Sequence, residues 1–292
     1  MQIAIYGRTL PDEYTSDIFL LLQKLNSYNI DICLYHTFLL QYPEIAAKFP
    51  RIRAFRCADD LSNETEFLLS LGGDGTILDA ITLVKQNNIP ILGVNFGRLG
   101  FLTSASKENF SGALDDLLNR NYIIDKRTLL QLEANIPLFA DTPFALNDFT
   151  IAKRDVDPMI RVHAFLNGEY INSYFSDGLI VSTPTGSTGY NMSCDGPILF
   201  PDSASFVLTP IAPHHLNTRP IIVPDDNVIS FEVESRSDNF LCTLDSRREI
   251  VHKTTRLAVR KESFKVKLIR SKENSFLSTL RNKLGWGLDK RN

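Results

Sequence analysis

Between Gly72 and Thr76 the chain reads Gly-Gly-Asp-Gly-Thr, directly after the apolar run Phe67-Leu68-Leu69-Ser70-Leu71. Glycines at such a point allow positive φ and let backbone N–H groups close on an anion, so Gly72, Gly73 and Thr76 read as a phosphate-binding nest that opens a helix. An acid inside that nest repels bound phosphate. Asp74 therefore suggests a task, accepting a hydroxyl proton or positioning Mg2+, against the plainer reading of a helix cap. A longer stretch, DGLIVSTPTGSTGYNMS from Asp177 to Ser193, sets hydroxyls, glycines and one aromatic behind a buried strand. Such a loop can hydrogen-bond a polar ligand from several sides while Tyr190 packs against a ring, or it can be a Ser/Thr-rich surface turn. Asn147-Asp148 could bind ribose hydroxyls or cap a turn. His214 and His215 are adjacent, point different ways and suit a loop better than proton transfer. No Ser-His-Asp arrangement can be claimed, and the absence of a GxxxxGK(S/T) run excludes an ordinary P-loop.

The elements that must hold these residues are written in the hydrophobic pattern. Ile3 to Tyr6 reads as a strand, Asp17 to Asn26 as an amphipathic helix, Asn29 to His36 as a second strand, Glu66 to Leu71 as a third, Ile77 to about Gln86 as a helix and Ile91 to Val94 as a further strand. Alternation of this kind predicts a parallel sheet, whose C-terminal edge is where ligands bind. Both glycine loops, Gly72 to Thr76 and Asn95 to Phe101, fall at that edge. From about Asp125 the texture changes to strands broken by turns: Leu129 to Ala134, Arg161 to Leu166, a hairpin turn at Asn167-Gly168, Val228 to Glu234, Phe240 to Leu244 and Arg256 to Arg260. The expected organisation is an α/β domain over residues 1–124, an all-β, sandwich-like domain over 125–270, and a C-terminal segment, 271–292. That segment carries Phe276, Leu277, Leu280, Leu284 and Trp286 at mostly helical spacing, and is expected to bury them on the N-terminal domain.

Composition narrows the class. The 292 residues, 43% hydrophobic and 22% charged, suit two globular domains. With 31 Lys+Arg against 34 Asp+Glu the net charge is −3, which gives no general drive toward nucleic acid or anionic membrane. Cys33, Cys57, Cys194 and Cys242 lie far apart, without metal-ligand spacing, so no protein-held metal is expected and reduced thiols in a cytoplasm are the simple reading. No leader or membrane-spanning run is legible.

Taken together, these stretches resemble the NAD kinase family: GGDGT at 72–76, NFGRLGFLT at 95–103, ND at 147–148, DGLIVSTPTGSTGY at 177–190, GPILFP at 196–201, PIAPHHLNTRP at 210–220 and LRNKLGW at 280–286. GGDGT alone is shared with diacylglycerol-type lipid kinases and phosphofructokinases; the ordered set covers nearly the whole chain. The resemblance implies an active site in the cleft between an α/β and a β-rich domain, where ATP with Mg2+ donates its γ-phosphoryl group to the 2′-hydroxyl of the adenosine ribose of NAD. It implies Asp74 as the base, and Gly75, Asn147, Asp148, Asp177, Thr185, Thr188, Gly189, Tyr190, Ser193 and the late acid Asp245 as substrate contacts. It also implies a homodimer or homotetramer. Four positions depart from the family pattern: Gly189 replaces an alanine, Asp148 a glutamate, Asp79 a basic residue and Arg247 a glutamine. A lipid kinase and a non-catalytic NAD(P)-binding regulator are the competing readings, the first lacking its GTxNDFAR-like segment and the second hard to reconcile with an intact Asp74.

Overall fold

The computed structural model describes residues 1–61, 64–97, 100–154 and 157–286, so Arg98 and Leu99 of the second glycine loop and 287–292 of the C-terminal segment lie outside the described residues. Two compact units result, one made of Met1–Lys126 with the chain from Val266 onward, the other of Arg127–Lys265.

In the first unit, β1 (Gln2–Gly7) is buried along its whole length, as an apolar run within a parallel sheet must be. Helix α1 (Thr15–Ser27) covers the sheet with Ile18, Leu21, Leu22 and Leu25, spaced to share one face. There follow β2 (Asp31–Tyr35), α2 (His36–Gln41), α3 (Pro43–Lys48), β3 (Arg53–Phe55), β4 (Thr65–Leu71), α4 (Asp74–Val84), β5 (Ile91–Asn95), the two-residue β6 (Ala105–Ser106) and α5 (Phe110–Leu118). The strands run parallel in the order β3-β2-β1-β4-β5. That order reverses between β1 and β4, the switch point outside which open α/β sheets bind ligands. Gly7 is the register partner of Leu71, so the chain leaving β1 at Arg8 and the chain leaving β4 at Gly72 emerge side by side at this edge.

The first helical turn of α4 departs from the expected start at Ile77. The helix begins at Asp74 with Gly73 at its N-cap, which places the acid in the first turn, where the helix dipole favours it. The second strand also stops short of His36, which opens α2 instead.

The second unit is antiparallel. After β7 (Ile123–Ala134), which crosses the boundary, come β8 (Phe144–Ala145), β9 (Asp148–Ala152), β10 (Ile160–Leu166), β11 (Glu169–Ser176), β12 (Gly178–Ser182), the short α6 (Tyr190–Ser193), β13 (Ser205–Ile211), β14 (Ile221–Pro224), β15 (Ile229–Glu234), β16 (Asn239–Leu244), β17 (Arg247–His252) and β18 (Leu257–Arg270), the last ending in the first unit. One sheet has the order β14-β13-β12-β9-β16-β17; the other joins β11, β10, β15 and β18. Along β15, Ile229, Phe231 and Val233 are buried while Glu232 and Glu234 face solvent, the period of a half-buried strand. Phe231 meets Phe149 of the opposite sheet at a ring separation of 6.1 Å, inside one shared core. Asn167 and Gly168 both take positive φ, as the two-residue hairpin turn requires.

Helix α7 (Phe276–Leu284) is capped by the Ser275 hydroxyl and ends at Gly285 in the left-handed region. The expectation that this segment buries a Trp and several Leu and Phe side chains is corrected: Leu280 is buried, whereas Leu277 is 47% and Trp286 50% exposed. Leu277 lies off the face shared by Phe276, Leu280 and Leu284, and Gly285 turns the chain before Trp286 can follow them.

Candidate functional site

The residues singled out above fall into two groups, one in each unit. In the first, Gly72 holds φ at +146° and its N–H donates to the Val94 carbonyl; a side chain there would collide with Thr76 Oγ1. Thr76 is buried and Gly75 exposed. Asp74 does not cap its own helix. Its Oδ2 accepts the Phe101 N–H at 2.7 Å, and its Oδ1 accepts those of Leu102 at 3.0 Å and Thr103 at 3.3 Å. A Cβ on Gly100 would fall 1.7 Å from Oδ1, so the second glycine loop has to be bare where the carboxylate crosses it. Three acceptor positions of Asp74 are thereby filled, and Oδ2 keeps one open.

The second group repeats this device. Asp245, at φ +52° in the turn between β16 and β17, accepts the backbone N–H groups of Leu146 (3.0 Å), Asn147 (2.8 Å) and Asp148 (3.3 Å). Its role is to hold the segment that carries Asn147 and Asp148. The Asn147 side-chain amide makes no hydrogen bond among the described residues. Asp148 opens β9 opposite Ser182 and is 6% exposed, its Oδ1 accepting from Thr150 Oγ1 at 3.3 Å. Burial, reinforced by the Asp245 charge, pushes its carboxyl up to about 7.

That shift has a sign. The folded chain holds a proton on Asp148 that the unfolded chain releases near the ordinary aspartate value, so this group's stabilisation is complete below about pH 4 and is lost as pH rises toward 7. Asp148→Asn is expected to flatten the fall in stability between about pH 4 and pH 7, a fall of at most about 1.4 kcal/mol per pH unit from this carboxyl. Urea unfolding across that range checks it; an unchanged slope would assign the dependence to another group.

The hydroxyl-rich loop is turned inward more than its composition suggests. Thr183 Oγ1 donates to the Leu146 carbonyl and accepts the Gly186 N–H; Ser187 Oγ donates to Pro184 O at 2.7 Å; Thr185 is buried, its Oγ1 taking Arg127 Nη1 at 3.2 Å. Asn191, fully buried, donates to the Ser187 and Pro197 carbonyls and accepts from Thr209 Oγ1. What the loop presents outward is Tyr190, 46% exposed, Ser193, and the half-buried Thr188 and Gly189. A Cβ on Gly189 would sit 3.2 Å from Gly186 O, a tight fit for the alanine usual at this place in the family pattern. Burial raises the Tyr190 hydroxyl pKa, with Cys194, Asp148 and Asp177 adding to it. Asp177 pairs with Lys153 Nζ at 3.0 Å.

Two departures from the family pattern acquire structural reasons. Arg247 is taken up internally, binding Thr142 O, Thr142 Oγ1 and Phe144 O, and it faces the Phe139 and Phe144 rings. Asp79 Oδ2 accepts from Arg8 Nε at 2.5 Å and from Tyr6 OH at 3.1 Å. Arg8, Arg127 and Asn191 escape a reading of the sequence because their partners lie far along the chain or inside the loop. The one local signal is Gly196, where a Cβ would fall 2.0 Å from Asn191 Oδ1. His214 meets His215 edge-on and lies tilted against Phe175, in an exposed loop. Among the described residues no cluster of three or more His, Cys, Asp or Glu side chains is arranged to hold a metal ion, and no helix is long and apolar enough to cross a membrane.

Residues 48–122 match the ATP-NAD kinase N-terminal domain and 146–271 the ATP-NAD kinase C-terminal domain. Among curated relatives, the NAD kinase of Cytophaga hutchinsonii is 44% identical over 293 residues and that of Flavobacterium psychrophilum 45% over 297, each alignment covering both chains in full. A yeast NADH kinase crystallised with NADH shares the fold at a TM-score of 0.87 and 22% identity, covering 99% of this chain and 89% of that one. An NAD kinase from Archaeoglobus fulgidus in complex with ATP does so at 0.74 and 24%, covering 98% and 99%.

Proposed function

The chain belongs to the NAD kinase family, and from that membership we propose how its own residues divide the work of the reaction. It transfers the γ-phosphoryl group of ATP to the 2′-hydroxyl of the adenosine ribose of NAD, making NADP. The loop Gly72–Thr76 seats the donor phosphates at the N-terminus of α4, where N–H groups and the helix dipole offset negative charge. Asp74 takes the proton of the ribose hydroxyl as its oxygen bonds to phosphorus and ADP leaves. The observation that carries this role is the tether to Phe101, Leu102 and Thr103, which fixes the carboxylate and leaves one acceptor position on Oδ2. Asn147, Asp148, Asp177, Thr188, Gly189, Tyr190 and Ser193 bind the dinucleotide, with Thr185 and Asp245 shaping the loops that carry them. Mg2+ would come to the site as the complex of the triphosphate and would offset negative charge on the transferring group.

Incubation with Mg2+–ATP and either NAD or diacylglycerol tests the assignment: NAD alone should gain phosphate, and phosphorylated diacylglycerol would overturn it. Tyr190→Ala and Asp177→Ala are each expected to raise KM for NAD about tenfold, the order of one aromatic or polar contact, with KM for ATP little changed. Equal rises in both constants would contradict that assignment.

We also place the protein in the cytoplasm, a reading supported by four cysteines that are all free thiols. We propose a homodimer or homotetramer, supported by Leu216 at 89%, Ile222 at 52% and Ile250 at 60% exposure on the second unit. Sedimentation equilibrium decides the subunit number.

A further inference from the structure

We propose that Arg8 is the cation that grips the donor's phosphates over the glycine loop, an inference that rests on reading Gly72–Thr76 as the donor site. Arg8 is the first residue beyond β1, on one side of the switch point, and Gly72 is the first beyond β4 on the other. A Cβ on Gly75 would lie 3.9 Å from Arg8 Nη1, which puts the guanidinium over the first turn of α4. Gly75 and Asp79 stand four residues apart on that helix and so share a face. Asp79 uses the position to anchor Arg8 through Nε, and Tyr6 donates to the same oxygen from β1.

The pairing explains an acid where the family pattern has a base. A bare carboxylate here would repel phosphate. Bound to Arg8 and Tyr6, Asp79 instead sets the direction of a permanent positive charge. Beyond Asp79 and Tyr6 the guanidinium has no partner among the described residues, and 52% of its side chain faces solvent. With Nε occupied, Nη1 and Nη2 remain as the planar fork that matches two phosphate oxygens. The positive group is thus supplied from β1 and held by the helix.

Arg8→Gln, Arg8→Lys and Asp79→Asn, assayed with Mg2+–ATP and NAD, test this. Arg8→Gln is expected to raise KM for ATP about 10- to 100-fold, the size of a lost hydrogen bond to a charged group, while KM for NAD moves less than about twofold. Arg8→Lys should recover part of the loss, since it restores charge without the fork. Asp79→Asn should weaken ATP less than Arg8→Gln does, and the double variant should be no worse than Arg8→Gln alone. Titration with ADP and with adenosine supplies a reading that a merely structural role would not move: Arg8→Gln should lose ADP affinity and keep that for adenosine. Unchanged ADP affinity, or a rise confined to KM for NAD, overturns the inference. An active wild type with unaltered Arg8→Gln defeats it alone, whereas an inactive wild type defeats the reading of the site, and the ADP titration still decides Arg8.

Discussion

Asp74→Asn is expected to lower kcat about a hundred- to ten-thousand-fold while NAD affinity stays within about tenfold, because a proton acceptor acts in the transition state and not in the ground state. An asparagine can still accept the Leu102 and Thr103 N–H groups, but its NH2 would then face the Phe101 N–H, donor against donor. Some loosening of the second glycine loop therefore accompanies the loss of the base. The two effects separate in different measurements. Loosening lowers the melting temperature and raises both KM values, whereas loss of the base lowers kcat alone. A variant that keeps more than about a tenth of wild-type kcat would leave Asp74 as a tether and nothing more.

The second large effect is expected at Asp245. Alanine there would strand the N–H groups of Leu146, Asn147 and Asp148 and would have to hold φ near +52° without a side chain that tolerates it. Partial replacement by water tempers the loss, which we place at about 2–5 kcal/mol of unfolding free energy, with a rise in KM for NAD as Asn147 and Asp148 drift. Asparagine suits that backbone conformation and retains one acceptor, so Asp245→Asn should lose clearly less. Chemical denaturation of both variants decides it. An alanine variant within about 0.5 kcal/mol of wild type would show that the three N–H groups are served by something other than this carboxylate.

These two acids show what the sequence reveals and what it hides. Their places in GGDGT and in Leu-Asp-Ser-Arg single them out as candidates, but each turns out to span from its own loop to three consecutive backbone amides elsewhere: Asp74 to 101–103 and Asp245 to 146–148. Sequence spacing carries no trace of a contact made across 27 or 99 residues. The strands of the first unit were legible because continuous apolar runs such as Phe67 to Leu71 are buried on both faces, and β15 because it alternates. Helices α2 and α3 were not, since each buries a single side chain, Phe38 or Ile45, too little to set a period. In the hydroxyl loop, composition pointed to ligand binding, yet Thr183, Thr185, Ser187 and Asn191 spend their groups on the loop's own backbone and neighbours. The same residue types build a rigid loop and dress its outer face, and only the fold decides which does which.

The reaction adds phosphate to one particular oxygen of NAD. Phosphorus NMR of the product formed from NAD and Mg2+–ATP shows which oxygen that is. The expected result is a single new phosphomonoester on the 2′-oxygen of the adenosine ribose, matched by one ADP for each NAD consumed. Inorganic phosphate with NAD unchanged, or a phosphate on any other hydroxyl, would contradict it.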